Sequence, residues 1–312
     1  MLQQVPICSF FVRKRDLFIR SKHLLVRRLS MWIASTLVVI CSSVYGNEVD
    51  VPRLLDQTYL DEPIKAFPEF VFEALMFAES RGYHFSTDQW TLILAQSKTV
   101  HSSSAMRKRL ENRLAMHRQG LSIEWAYDWY QQPAGRRIVM GLAAASRPER
   151  LKKQRTSLSQ SLLANDALSD FAEDYENRFK PTEKQLRRRQ AVMGDLTSGI
   201  AKILLPNRPF QSQEVNEVLA LQSFELRPQW RRQEKLRWID GLRSLYPSEV
   251  DKFRVALNHP QMTTFIQLVD TTTSEVMNEA VQELLQIIAG VVDQSKQDAS
   301  QEPVLPEALP EM

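Results

Sequence analysis

Apolar residues recur three and four positions apart through most of the chain beyond residue 47, the spacing that lays one face of an α-helix against a core. Phe67, Phe70, Val71, Ala74, Leu75 and Ala78 make such a stripe over 64–80, and Gly82 closes it. Ser86 and Gln89 predict a capping box for a helix carrying Trp90 and Leu94. Met106, Leu110 and Leu114 predict the next helix, with Arg107, Lys108, Arg109 and Arg113 outward. Arg147-Pro148 opens a Lys/Arg-rich helix towards Leu163, and Asn165 or Asp166 caps another. After Lys180-Pro181, Thr182 and Gln185 repeat the capping pattern before Leu186, Met193, Leu196, Ile200 and Ile203. Ser212 starts a helix through Leu221, and Pro228 starts a separate one through Trp230, Leu236, Ile239 and Leu242. The broadest stripe is Val276, Met277, Ala280, Val281, Leu284, Ile287, Ile288 and Val291, over 274–293. Glu275, Glu279 and Glu283 keep that helix out of a bilayer. Long β-branched alternating runs are missing. The predicted fold is all-α: an antiparallel multi-helix bundle or a two-lobed helical array.

Two places break the pattern in the same way. In 121–145, Ser122 caps a helix bearing Trp125, Tyr127, Trp129 and Tyr130. Gln132 is pushed from the α region by the proline after it, and Pro133 suits the first turn of a second helix. Gly135 permits close approach, Ile138, Val139 and Leu142 face inward, and Arg136 and Arg137 point partly out. Residues 248–269 repeat the helix–proline–helix order around Pro260. Aromatics at helical spacing predict a buried hinge, with a sugar- or peptide-stacking surface of Trp125, Trp129, Tyr130, Arg136 and Arg137 as the binding alternative.

The segment WYQQPAGRRIV resembles the aromatic-Tyr-x-Ser-Pro-x-Gly-x-basic step of a large group of secreted, all-helical bacterial proteins of unknown function. Trp129, Tyr130, Pro133, Gly135 and Arg137 carry the likeness, while Gln132 stands where that group has serine. The resemblance implies an envelope location and assigns no catalytic residue.

Composition narrows the function classes. The chain has 312 residues, 43% hydrophobic and 25% charged, enough for one large core or two modest ones. With 9 glycines and no GxGxxG or P-loop, dinucleotide and P-loop chemistry are not expected. Residues 1–46 hold seven Lys/Arg and one acid, leaving 33 basic and 36 acidic residues beyond them. A body of net charge −3 removes the usual electrostatic footprint of a nucleic-acid binder. The leader itself reads as an export signal: Arg27-Arg28, an apolar stretch from Met31 to Cys41, and Val44-Tyr45-Gly46 before a cleavage site at Asn47. Its alternative is a membrane anchor. Both cysteines, Cys8 and Cys41, fall within it, so no disulfide or thiol chemistry is expected in the body. The expected organisation is 1–46 signal, 47–181 first helical half, 182–294 second half, and 295–312 a disordered tail with three prolines.

Candidate chemistry is sparse. Ala74 with Ala78-Glu79-Ser80 resembles the catalytic glutamate segment of lytic transglycosylases, which implies Glu79 as a general acid on glycosidic oxygen. The Gly-rich segment that should follow is absent. Asp170, Glu173 and Asp174 share a helix face that could hold a hard cation or meet the chain's own basic helices. His84, His101, His117 and His259 show no metal spacing. No cofactor or metal is expected. The reading is a periplasmic or secreted helical binding protein acting on an unknown envelope protein or polymer. Its alternatives are a cell-wall glycosidase using Glu79 and a structural protein that forms homodimers through Ser274–Asp293.

Overall fold

A computed structural model describes residues 49–301, apart from 59, 118–119, 146–165 and 208–211, with the side chains of 166 and 298–301 left aside. The leader, both cysteines, the helix expected from Arg147 and the last eleven residues lie outside the described residues. The described residues form twelve helices and no strand: α1 Val51–Thr58, α2 Glu62–Lys65, α3 Phe67–Ser80, α4 Thr87–Val100, α5 Ser103–Ala115, α6 Leu121–Gln131, α7 Pro133–Ala145, α8 Asp166–Phe179, α9 Pro181–Leu204, α10 Ser212–Leu242, α11 Pro247–Asn258 and α12 Pro260–Gln301.

Helices α9 and α12 are the two spines. The apolar face of α9 (Leu186, Val192, Met193, Leu196, Ile200) packs among α3, α10 and α12. That of α12 packs on α4, α5, α6 and α9. Its predicted stripe is buried inside the chain from Val276 to Val291 apart from the half-buried Ile287, and Glu275, Asn278, Glu279, Gln282, Gln286 and Gly290 are on its exposed side. One buried cluster runs from Val51 to Val292 and crosses Lys180–Pro181, so that step divides two helices and not two cores.

Four local expectations are revised. Helix α12 is continuous over 42 residues, where a separate helix at 274–293 was expected, and it carries on past Ser295. The Thr271–Ser274 run does not break it: Thr272 Oγ1 donates to the Leu268 carbonyl at 2.8 Å and Ser274 Oγ to that of Asp270 at 3.1 Å, so both hydroxyls bond within the helix, and the buried Thr272 and Thr273 pack on its neighbours. Helix α10 likewise runs through Pro228. Pro228 lies on its exposed side, where water can meet the carbonyl left without a donor. Gly120 sits at the α6 N-cap, and Ser122 is a buried first-turn residue. At α9 no capping box forms: Lys180 holds a left-handed conformation (φ 50°), and the buried Glu176 of α8 accepts the Thr182 hydroxyl at 3.1 Å. Glu176 thus covers the start of α9 from the preceding helix. The Ser86–Gln89 box is present, at 2.9 and 3.2 Å.

The two proline hinges share one geometry. Gln132 (φ −68°, ψ 154°) and His259 (φ −70°, ψ 134°) are both extended and end their helices. Helix α6 then lies on α12 and α7 on α11, so each arm of one hinge meets an arm of the other. Trp129 stacks on Phe253 at 5.4 Å and Trp125 on His259 at 4.2 Å between ring centres. Gly135 explains the motif's glycine: a Cβ there would lie 2.5 Å from the Trp129 carbonyl oxygen and 2.8 Å from Tyr130 Cα.

Candidate binding cleft

The aromatic hinge residues are structural. Trp129 and Tyr130 are 8% and 4% exposed, and burial pushes the Tyr130 phenol well above its ordinary pKa. Trp125 is half-buried under His259. Arg136 is exposed, while Arg137 pairs with Glu249 at 3.1 Å and lies over the Tyr246 ring. These five residues therefore do not share an exposed surface. Instead, Trp129 begins a chain of ring contacts through Phe253, Trp238 and Tyr175 to Phe179, with the last steps at 4.2 and 4.9 Å.

Glu79 stands half-buried at the C-terminal end of α3 and accepts the indole N–H of Trp90. It lines none of the cavities described below. Glu173 pairs with Arg231 and, at 3.6 Å, with Lys235, both on α10; Asp170 and Asp174 are exposed beside it. The acidic face thus meets a basic helix. Among the described residues no group of three or more His, Cys, Asp or Glu is placed to hold a metal ion.

Most basic side chains read from sequence as wet helix faces make ion pairs within the fold. Arg107 meets Asp56 at 2.7 Å, Glu111 at 2.9 Å and the buried Asp61 at 3.2 Å. Arg109 meets Glu283 at 2.7 Å, beside the buried imidazole of His101. Arg188 and Arg189 are themselves buried. Arg189 donates to Glu73 at 2.7 Å. Arg188 pairs with Asp270 and donates to Ser274 Oγ at 3.1 Å.

Ring chain and ion pairs converge on a cleft around the first three turns of α9. Its central part is a cavity of about 90 Å³ with an apolar wall from Tyr175, Phe179, Ile266 and Val269. Polar groups close it: Glu62 from α2, Lys184 and Arg188 from α9, Glu234 and Arg237 from α10, and Asp270 and Thr273 from α12. Two further lobes share its lining. One, of about 240 Å³, runs between α3 and α10 and shares Gln185, Glu234 and Arg237. The other, of about 330 Å³, runs between α9 and α12 and shares Lys184, Arg188 and Asp270.

The cleft's electrostatics have identifiable causes. Glu234 accepts from Arg237 at 2.7 Å and from the Trp238 indole at 2.8 Å. Burial pulls the Arg237 guanidinium down, but Glu234, Tyr175 and Glu62 outweigh it and hold it above its ordinary value. Burial pushes the Tyr175 phenol far up, helped by Glu234. Burial lowers Arg188 against the opposing pull of Asp270. Two polar atoms buried at the cleft have no hydrogen-bond partner, Arg237 Nε and Thr273 Oγ1, the latter on a side chain 1% exposed; eight other buried side-chain atoms among the described residues are in the same state away from the cleft. The two at the cleft are the ones that line its cavity.

Of these cleft residues, Arg187 and Arg188 read in the sequence only as part of a basic cluster on a helix's wet side, and no other stood out as a site. The readable signal was polarity out of place: Thr273 falls on the apolar stripe of α12 between Val269 and Val276, and Arg189 on that of α9 before Val192 and Leu196.

No family model, curated protein or solved structure matches this chain. Among the described residues, no helix is long and apolar enough to cross a membrane.

Proposed function

We propose that this is an exported, helical binding protein of the cell envelope whose ligand occupies the cleft around the start of α9. The observation that carries the binding half is the pair of unpartnered buried polar atoms, Thr273 Oγ1 and Arg237 Nε, at a cavity with an apolar wall. An apolar wall with a few oriented polar groups is how small-ligand sites are built. The export half rests on the basic, then apolar, leader ending near Gly46. Two measurements test the two halves separately. Small-molecule extract from the envelope should raise the unfolding temperature of the full chain, and Gln185→Trp, a half-buried position shared by two lobes, should abolish the rise. An equal rise in the variant, or none in either protein, rejects the cleft. N-terminal sequencing of the fractionated protein should give a start at or near Asn47. A cytoplasmic, uncleaved chain rejects export.

A further inference from the structure

The cleft is electrically lopsided. At the α9–α12 lobe, Lys184, Arg187 and Arg188 face a single carboxylate, Asp270, which already serves two of them: Lys184 at 3.0 Å and Arg188. Arg187 is exposed and has no ion pair among the described residues. At the α3–α10 lobe the balance reverses: Glu69, Glu73 and Glu234 face one guanidinium, Arg237. Glu73 is paired with Arg189, but Glu69 is exposed and has no ion pair among the described residues. One lobe thus ends on a free cation and the other on a free anion. Between them stand the apolar wall and the two unpartnered atoms, a hydroxyl and a guanidinium N–H.

Resting on the cleft as the binding site, we infer that its ligand is a short zwitterionic peptide with both ends free. Its terminal carboxylate lies at Arg187 and Lys184. Its terminal ammonium lies at Glu69 and Glu234. An apolar side chain lies on Phe179, Ile266 and Val269. A peptide backbone brings both donors and acceptors, so it can satisfy Thr273 Oγ1 and Arg237 Nε together. A singly charged ligand of either sign would meet one lobe of its own sign. The lobes touch α9 from Thr182 to Val192. Ten residues of helix rise about 15 Å, which an extended chain of roughly four residues spans.

The probe is the tetrapeptide Ala-Leu-Ala-Ala, added to the full-length protein in calorimetric titration. It is compared with its N-acetylated form and its C-terminal amide. The expected result is binding of the free tetrapeptide, with each capped form weaker by roughly tenfold, the scale of one charge-assisted hydrogen bond. Two exposed-rim variants read the orientation. In Arg187→Gln the penalty for the C-terminal amide should shrink severalfold while that for acetylation stays, and Glu69→Gln should do the reverse. Neither residue is buried or paired, so both variants should fold. Equal binding of all three peptides overturns the zwitterion assignment and leaves the cleft a binding site of another class. The same penalties in both rim variants as in the parent overturn the orientation and with it the assignment. No heat with any of the three overturns the assignment, and the response to envelope extract then decides the cleft separately.

Discussion

Replacing Gly135 by alanine tests whether the first hinge is as tight as its geometry states. The added Cβ would stand 2.5 Å from the Trp129 carbonyl oxygen, 2.8 Å from Tyr130 Cα and 3.1 Å from the Tyr130 carbonyl carbon. All three are backbone atoms, so no side chain can rotate aside. Ordinary contact would need the start of α7 to move by about 0.6–0.9 Å. The hinge resists that movement, because Gln132 N–H donates back to the Trp129 carbonyl at 3.1 Å and Arg136 N–H to that of Gln132 at 3.0 Å. Overpacking of this kind costs about 1–3 kcal/mol, against a gain of up to about 1 kcal/mol from exchanging glycine for alanine in a helix. The net expectation is a loss of about 1 kcal/mol, or roughly 2–4 °C in unfolding temperature for a domain of this size. Gly290 is the internal control. It lies mid-helix in α12, where an added Cβ would meet nothing within 4 Å, so Gly290→Ala should gain up to about 1 kcal/mol. Thermal and guanidinium unfolding followed by helical circular dichroism would read both. If Gly135→Ala unfolds at or above the temperature of the parent while Gly290→Ala behaves as expected, the hinge is looser than described.

Three other outcomes follow from the same structure. Trp129→Ala removes a ring that contacts Tyr130 and Phe253 and should cost about 3–5 kcal/mol, with half-buried Trp125→Ala costing less, as denaturant midpoints would show. Burial holds Asp61 above 3.8 despite Lys65 and Arg107, so the native state binds its proton more tightly than the unfolded chain. The Asp61 contribution to stability should therefore grow as pH falls through its native value, so the difference between parent and Asp61→Asn in a pH series of unfolding curves should widen in the parent's favour toward acid. Burial, aided by Arg109, holds His101 below 6.5 against Glu283 and the Ala280 backbone, which is the opposite case. The unfolded chain then takes up the proton first, so the His101 contribution to stability should fall as pH drops below about 6.5, and the difference between parent and His101→Leu should shift against the parent over that range.

The helices were legible because one signal, apolar spacing, acts within each of them. Phe67, Phe70, Val71, Ala74, Leu75 and Ala78 all went inside, as did Met106, Leu110 and Leu114. Pre-proline sterics placed both hinges, since Gln132 and His259 need only their own neighbour to become extended. Continuity was less legible. Pro228 and the Thr271–Ser274 run oppose a helix locally, and packing on both sides of each overrides them. The cleft was the least legible feature. Glu62, Lys184, Glu234 and Asp270 lie on four helices, and periodicity says which side of a helix is wet but not which wet sides meet. The aromatic residues were legible as a buried hinge from their helical spacing, and the stacking-surface alternative fails because Phe253, from the second hinge, packs on the Trp129 ring, a contact that one helix at a time does not show.

Trp238 sits where the ring chain and the cleft join. Its indole N–H is held by Glu234, and its ring touches Tyr175, both of which line the cavity. Whatever enters the cavity and draws on the Glu234 carboxylate must also change the polarity around that indole. The molecule consequently has a built-in optical gauge of occupancy, readable from its own emission without a dye.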